Sequence, residues 1–400
     1  MNRSVIIQSF VFCSIFSVAL LISGCSKQAE EPAPQPRTLS VTVLQVNGSP
    51  SVDEFEAKMA EYATSDELLT ITTETKPVSA SSTNAELLSA IEGADLVVFP
   101  SLLNRQFREQ SNAFHPIQAN SALPDHLASV YAANEASQVW AAVLAIDPIV
   151  FVQKVGVSRT AGFTGAMTDW GQLRVLTTLE RSRGNQEPFW AFMQSDNGLH
   201  DAWASYFLAF KYSSVPSRLY EQWLNTVQQA ILDDAKSIQA NGVDSEINTF
   251  PTVKNLADFV QSSSYFTSER YSKLVKLDET QRASVIISAF PTEGGEASVC
   301  YTVAAAVPLQ AANPDDAQAW IDMATEDNDV WSAALYGTVV DATELKNTFN
   351  FPENCRFFIR ENNASISQDE IKRVFDNNIE NLNDVVEKIF TDIFPAQNGV

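Results

Sequence analysis

Three strand-like stretches alternating with two helical ones, all within the first hundred residues, constrain the fold more than any other feature of this sequence. Residues 39–46 alternate β-branched and polar side chains, and residues 68–73 are also rich in β-branched side chains, so both predict strands. Residues 51–63 and 82–91 carry apolar side chains at helical spacing. Residues 95–100 form an apolar run, which is typical of a strand buried on both faces of a parallel sheet. This strand–helix–strand–helix–strand order predicts an α/β fold.

The first 24 residues have the pattern of a secretory signal peptide. Arg3 supplies a positive charge, and a largely apolar run follows it. The run ends at Ser23 and Gly24 before Cys25, an order that resembles the lipobox of bacterial lipoproteins, whose cysteine is lipidated. An ordinary signal peptide with an incidental cysteine is the alternative. Residues 25–38 then form a lipidated cysteine and a proline-rich tether. We therefore expect a protein of the cell envelope, lipid-anchored to a bacterial membrane and facing the periplasm or the exterior.

Composition argues against several classes of function. The 400 residues include 26 basic and 49 acidic side chains, for a net charge of −23, and this acidity argues against nucleic acid as a partner. The three histidines and four cysteines lack the spacing of a metal site, so neither a metal nor another cofactor is expected. No nucleophile motif is present and no pair of carboxylates stands out. We expect a binding protein and not an enzyme.

Two cysteines remain once the signal peptide is removed and Cys25 is lipidated. Cys300 and Cys355 could form one disulfide in an oxidising compartment, or both could be buried as small apolar side chains. The sequence leaves both possibilities open because it does not give the distance between the two Cα atoms.

A second apolar region, residues 140–154, is interrupted by Asp147 and Pro148. Proline cannot donate to a β-ladder and constrains the residue before it. The region therefore predicts a long strand with a break in its middle, suited to a crossover between two lobes. Further strands are predicted over residues 283–290 and 299–307.

Several segments, taken in order, resemble the extracellular solute-binding proteins of ABC importers, in the branch that includes maltose-binding-like proteins. Residues 94–101 resemble the first-lobe strand of that family, and residues 140–154 resemble its hinge strand. Four shorter motifs also resemble the family's: T-D-W-G-Q-L at 168–173, F-P-T-E-G-G at 290–295, N-P-D-D-A-Q-A-W-I at 313–321 and Y-G-T-V-V-D-A at 336–342. The sequence departs from the family pattern at Val340, where a proline is expected.

The resemblance implies a two-lobed fold of the type II periplasmic-binding-protein class, with a hinge and a ligand cleft between the lobes. Lobe 1 would comprise residues 39–147 and 299–337, and lobe 2 residues 148–298 and 338–400. It also implies a monomer that captures a small-molecule ligand and delivers it to the permease subunits of an ABC importer.

Carbohydrate is the expected ligand, because of the aromatic content and the branch that the chain resembles. Sugars need flat apolar faces together with a few fixed hydrogen-bonding groups. Trp140, Trp331 and Tyr336 are the first candidates for these faces, and Trp190 and Trp203 come next. Each of these aromatic residues could instead belong to the core.

Two polar residues complete the candidate site. Asp147 could bind ligand hydroxyls or an amine, or could cap a turn before Pro148. Ser101 could offer its hydroxyl to the ligand, or could form the turn after the preceding strand. The acidic balance favours a polyamine- or cation-binding receptor of the same fold as the alternative. A surface lipoprotein with a role in adhesion or in the cell envelope is a second alternative.

Overall fold

The computed structural model describes the first predicted lobe more completely than the second. The described residues are 35–46, 68–118, 129–132, 138–160, 162–163, 165–167, 170–185, 189, 191–193, 252–274, 277–290, 297–326 and 356–361. The predicted signal peptide, and the helix predicted over 51–63, lie outside these ranges. Within them the chain is mixed α/β, which confirms the predicted fold class.

The described strands and helices are numbered in chain order. The strands are β1 (Arg37–Val46), β2 (Leu69–Val78), β3 (Leu96–Pro100), β4 (Ile117–Gln118), β5 (Gln138–Val139), β6 (Ala142–Lys154), β7 (Phe192–Met193), β8 (Thr252–Val253), β9 (Phe266–Arg270), β10 (Val285–Ser288), β11 (Ala297–Ala306) and β12 (Arg356–Ile359). The helices are α1 (Asn84–Ala90), α2 (Asn104–Glu109), α3 (Val157–Thr160), α4 (Trp170–Ser182), α5 (Leu256–Gln261), α6 (Tyr271–Leu274), α7 (Glu279–Ala283) and α8 (Pro314–Glu326). Short 3₁₀ turns cover Ser101–Leu103, Ser111–Ala113 and Ser129–Tyr131.

One large sheet organises the described residues, with the strand order β2-β1-β3-β11-β6-β10. β1 is parallel to both β2 and β3, whereas β11 runs antiparallel to β3 and to β6. Every residue of β3 is buried, because the strand lies inside the sheet between β1 and β11. The apolar run of residues 95–100 predicted this position correctly.

Local side-chain bonds explain where the first helix begins. The Thr83 hydroxyl accepts a hydrogen bond from the Glu86 backbone N–H, and the Glu86 carboxylate accepts one from the Thr83 backbone N–H over 2.8 Å. The pKa of Glu86 is lowered most by the bond from the Thr83 backbone N–H, and also by a bond that the Thr83 hydroxyl donates to the same carboxylate over 3.0 Å. This capping box satisfies two N–H groups that have no partner within the helix.

The predicted break in the long strand is absent, since β6 continues through Asp147 and Pro148 to Lys154. Pro148 is the last residue of β6 that pairs with β11, where it lies opposite Cys300. Its missing N–H therefore falls at the end of that ladder, where a proline interrupts least.

β12 adds a short parallel strand to β11, with Ala297 opposite Arg356 and Cys300 opposite Ile359. β3 pairs with β11 only from Val303 onward, which leaves this stretch of β11 accessible to another strand. The sequence-based division placed residues 338–400 in lobe 2. The segment 356–359 pairs with β11, beginning opposite residues 297–298, which the same division also places in lobe 2.

Candidate functional site

β6 changes its pairing partner at one place, which we call the sheet junction and define as Asp147, Pro148 and Ile149. Up to Pro148, β6 pairs with β11. From Ile149 onward it pairs with β9 and then also with β10. Two parts of the sheet therefore meet on one strand at the sheet junction.

Three polar side chains share one face of the sheet at the junction. Tyr301 lies directly opposite Asp147, and Arg270 lies opposite Ile149. Residues opposite each other, and residues two apart on one strand, point to the same face. The guanidinium carbon of Arg270 lies 5.4 Å from the centroid of the Tyr301 ring, within the range of a cation–π contact.

The carboxylate of Asp147 is fully buried and hydrogen-bonded. It accepts from the backbone N–H of Ser272 over 2.9 Å and from the hydroxyl of Ser272 over 2.6 Å. Burial raises the pKa of Asp147 to about 6, against the opposing effects of the Arg270 charge and the two Ser272 bonds. Asp147 is therefore poised to change charge near neutral pH.

A chain of neutral polar groups lies at the carboxyl end of β3. The backbone N–H of Thr302 donates to the Ser101 hydroxyl over 3.2 Å, and the Thr302 hydroxyl lies 2.6 Å from the Tyr131 hydroxyl. The Asn104 side-chain amide donates to the same Tyr131 oxygen over 2.7 Å. Burial raises the pKa of Tyr131 above its usual range. The Ser101 hydroxyl is thus held by an internal bond at the place where the sequence predicted a ligand contact.

Trp140 lies in the core of the structure, with only 1% of its surface exposed. Its ring stacks on Phe99 at 5.8 Å between centroids and also contacts the rings of Phe114 and Tyr131. Its indole N–H has no hydrogen-bond partner among the described residues. These contacts explain the burial of Trp140, and its role as a sugar platform stays a prediction.

The remaining aromatic candidates lie in other parts of the chain. Trp190, Trp203, Trp331 and Tyr336 lie outside the described residues, as does the lipidation candidate Cys25. Cys300 is buried in β11, but Cys355 lies outside the described residues too, so the disulfide between them stays a prediction.

Glu269 and Arg270 at the junction were not among the predicted site residues. Both stand at the end of β9, and two adjacent charged residues at the end of a strand are a sequence signal for a buried polar site.

Arg108 and Glu361 form a two-bond ion pair, with Arg108 donating over 2.5 and 3.0 Å. No local signal could have found that pair, because 253 residues separate its members.

The described part of the site offers hydroxyl, amide, carboxylate and guanidinium groups for hydrogen bonding. Among the described residues, no group of three or more histidine, cysteine or acidic side chains is arranged to hold a metal ion. None of the helices in the described ranges has both the length and the apolar character needed to cross a bilayer.

No family model matches the chain, and no curated protein matches it in sequence. Solved structures do match. The cyclic α-maltosyl-1,6-maltose binding protein of Arthrobacter globiformis superimposes with a TM-score of 0.55 at 13% identity, over 91% of this chain and 98% of that protein. The bacterial solute receptor AcbH, described as exclusive for β-D-galactopyranose, gives 0.57 at 13% identity, over 88% and 97%. Maltose-bound MalE3 of T. maritima gives 0.52 at 11% identity, over 88% and 99%.

These comparisons establish the fold and, at such low identity, the fold alone. The chain has the two-lobed α/β fold of type II periplasmic binding proteins, as the sequence predicted. The likeness extends over nearly the whole length of each of the three proteins.

Proposed function

We propose that this protein is an extracytoplasmic receptor that captures a carbohydrate between two lobes and delivers it, chemically unchanged, to an ABC importer. One observation carries the proposal, namely the nearly full-length structural likeness to receptors whose described ligands are sugars. Because the compared proteins are binding proteins, their likeness supports binding more strongly than catalysis.

The lobes of this receptor meet at the sheet junction. Lobe 1 comprises residues 39–147 and 299–337, and lobe 2 residues 148–298 and 338–400. The change of pairing partner between Pro148 and Ile149 supports the first boundary, because rotation about one shared strand can open and close a cleft.

The preferred ligand class is a neutral sugar. In open α/β sheets ligands bind beyond the carboxyl ends of the strands, and the group formed by Ser101, Thr302, Tyr131 and Asn104 lies at that end of β3. All four side chains are buried and the four residues are hydrogen-bonded to one another, so they hold the end of β3 that faces the proposed cleft, and only Ser101 among them is a proposed ligand contact. The proposed set of ligand contacts is completed by the aromatic candidates Trp140, Trp190, Trp203, Trp331 and Tyr336.

The receptor acts as a monomer tethered to the membrane. Lipidation of Cys25 would anchor it, and residues 26–38 would hold the folded part near the permease subunits. A lipid anchor confines the receptor to the membrane surface and so raises its effective concentration at the importer.

Thermal unfolding with a panel of ligands tests the proposal. Maltose, mannobiose and galactose represent sugars, and spermidine and putrescine represent cations. A sugar that binds the folded state raises the melting temperature in a concentration-dependent manner. Chromatography should recover that sugar unchanged.

Each outcome distinguishes one class of function. If only spermidine or putrescine raises the melting temperature, the protein is a cation receptor and not a sugar receptor. The net charge of −23 supports this alternative. Conversion of a sugar to product would contradict simple capture. No shift with any compound, at concentrations up to the millimolar range at which weak binding saturates, would count against a receptor and favour the adhesion or envelope role.

A further inference from the structure

We infer that Asp147 is the positioning residue of the hinge, and that its bonds to Ser272 clasp the turn between β9 and α6 onto the sheet junction. This goes beyond the proposed function, which does not require any particular residue to hold the hinge. It also assigns Asp147 a role different from the ligand contact that the sequence predicted.

The position of Ser272 carries the first step. The ladder between β6 and β9 ends with Ile149 opposite Arg270. Extending that antiparallel register by two residues puts Ser272 opposite Asp147, at the point where β9 has already turned into α6. The side chain of Asp147 bonds to Ser272 there, in place of the next ladder pair.

The second step concerns β11, which pairs with β6 up to Pro148. Asp147 lies opposite Tyr301 in the ladder between β6 and β11. Arg270, the last residue of β9, extends its guanidinium over the Tyr301 ring. Asp147 is therefore joined to β11 through the ladder and to α6 through its carboxylate, so that a rotation at the junction must disturb one of these contacts.

Two charged side chains of β9, Glu269 and Arg270, act on the Asp147 carboxylate. Arg270 favours the ionised form of Asp147, and Glu269 opposes it. Lys273 partly balances Glu269 through an ion pair of 3.2 Å.

Low pH should favour the buried arrangement, because the effect of burial on the Asp147 carboxyl outweighs the two Ser272 bonds, which favour its ionised form. Burial is the main cause that raises the pKa of Asp147, so any opening that lets water reach the carboxyl must lower that pKa again. The buried arrangement therefore binds the proton more tightly, and lower pH favours it by linkage. An effect of pH on ligand release would follow, and only this consequence rests on the proposed function.

Hydrogen exchange tests the clasp without any ligand. The purified full-length protein in detergent is compared with Asp147→Asn at pH 5 and pH 7.5, and the exchange of residues 271–274 is corrected for the intrinsic effect of pH. We expect protection in the wild type to be at least about threefold higher at pH 5 than at pH 7.5. Asp147→Asn should remove this difference, because it cannot ionise.

Asp95→Asn is the matched control. Asp95 is also buried and also accepts hydrogen bonds on both oxygens, here from the backbone N–H groups of Ser40 at 2.9 Å and of Asn313 at 2.8 Å, but it lies away from the sheet junction. This variant should keep the pH dependence of the wild type at residues 271–274. Equal protection at both pH values in the wild type would overturn the inference, and so would an Asp95→Asn variant that loses the pH dependence.

Ser272→Ala is the variant to test if Asp147→Asn does not fold. It removes the hydroxyl donor and keeps the backbone donor, so protection should fall at both pH values while some pH dependence remains. Unchanged protection in Ser272→Ala would contradict the clasp. Because no sugar is present, these outcomes are independent of whether the protein proves to be a sugar receptor.

Discussion

Arg108 donates hydrogen bonds to both carboxylate oxygens of Glu361, over 2.5 and 3.0 Å, although 253 residues separate the two in sequence. The Glu361 side chain is fully buried, whereas that of Arg108 is 26% exposed. The pair joins α2, which follows β3, to the segment that follows β12. It therefore fastens a late part of the chain to an early one.

Replacing Arg108 by glutamine should destabilise the protein markedly, because it leaves the Glu361 carboxylate buried without its cation. We expect a loss of about 3 kcal/mol in the free energy of unfolding, measured by chemical denaturation. Arg105→Gln on the same helix is the control. Arg105 pairs with Glu109, and both side chains are about half exposed. Loss of this pair should lower the free energy of unfolding by less than about 0.5 kcal/mol. Similar losses in both variants would show that the buried pair contributes no more than a surface pair.

Stability should depend on pH through Asp147. Its folded-state pKa of about 6 exceeds the ordinary value of 3.8, so the stability that it contributes is fully present below pH 3.8 and is lost as the pH rises through 6. The free energy of unfolding of Asp147→Asn should therefore increase relative to that of the wild type as the pH rises from 4 to 7. The linkage relation limits this gain to about 1.4 kcal/mol per pH unit. Parallel stability curves for the two proteins would contradict this assignment.

Trp140→Ala should cost about 4 kcal/mol, since it opens a cavity beside Phe99, Phe114 and Tyr131. Trp140→Phe should cost clearly less, because it keeps a ring in the stack and removes an indole N–H that has no partner among the described residues. Chemical denaturation measures both variants. If Trp140→Phe folds normally but no longer gives the thermal shift with a sugar that the wild type shows, Trp140 contacts ligand after all.

Tyr265→Phe should cost about 1 kcal/mol through the loss of its hydroxyl. That hydroxyl donates to Glu180 over 2.7 Å and accepts from the Asn185 side chain over 3.0 Å. Burial and the adjacent Glu180 raise the pKa of Tyr265 to about 12, so the hydroxyl remains a donor at all physiological pH values. The loss should consequently be the same at pH 6 and pH 9, and a loss confined to one of them would argue against this geometry.

Cys25→Ser should release the protein from the membrane fraction of cells, because it removes the only thiol at the proposed lipidation site. Cys13→Ser, within the predicted signal peptide, should leave the protein with the membrane. Fractionation followed by mass spectrometry of the N-terminal peptide measures both. An unmodified Cys25 in mature wild-type protein would show that the signal peptide is of the ordinary kind.

The sequence predicted the strands of the large sheet well, because their signals are local. The apolar run at β3 and the long apolar stretch at β6 each reflect burial on both faces, and burial leaves a pattern in the residues themselves. The break predicted at Pro148 was wrong. A proline disturbs pairing only with the neighbouring strand to which its N–H would have donated. Which strand that is depends on the fold, so the sequence does not show it.

The contacts of the candidate site were less predictable, because they depend on register. Asp147 was singled out, but its partner Ser272 follows 125 residues later and neither is part of a recognisable motif. The ion pair of Arg108 and Glu361 is hidden for the same reason. The burial of Trp140 depends on three rings that converge only after folding.

The position of β11 has a consequence for biogenesis. This strand lies between β3 and β6, yet about 200 residues of chain separate it from β3. While the polypeptide is being synthesised, the early strands lack their central neighbour and cannot complete a stable sheet, and pairing over such a separation is intrinsically slow. A polypeptide that folds slowly remains unfolded for longer, as the proposed export across a membrane would require.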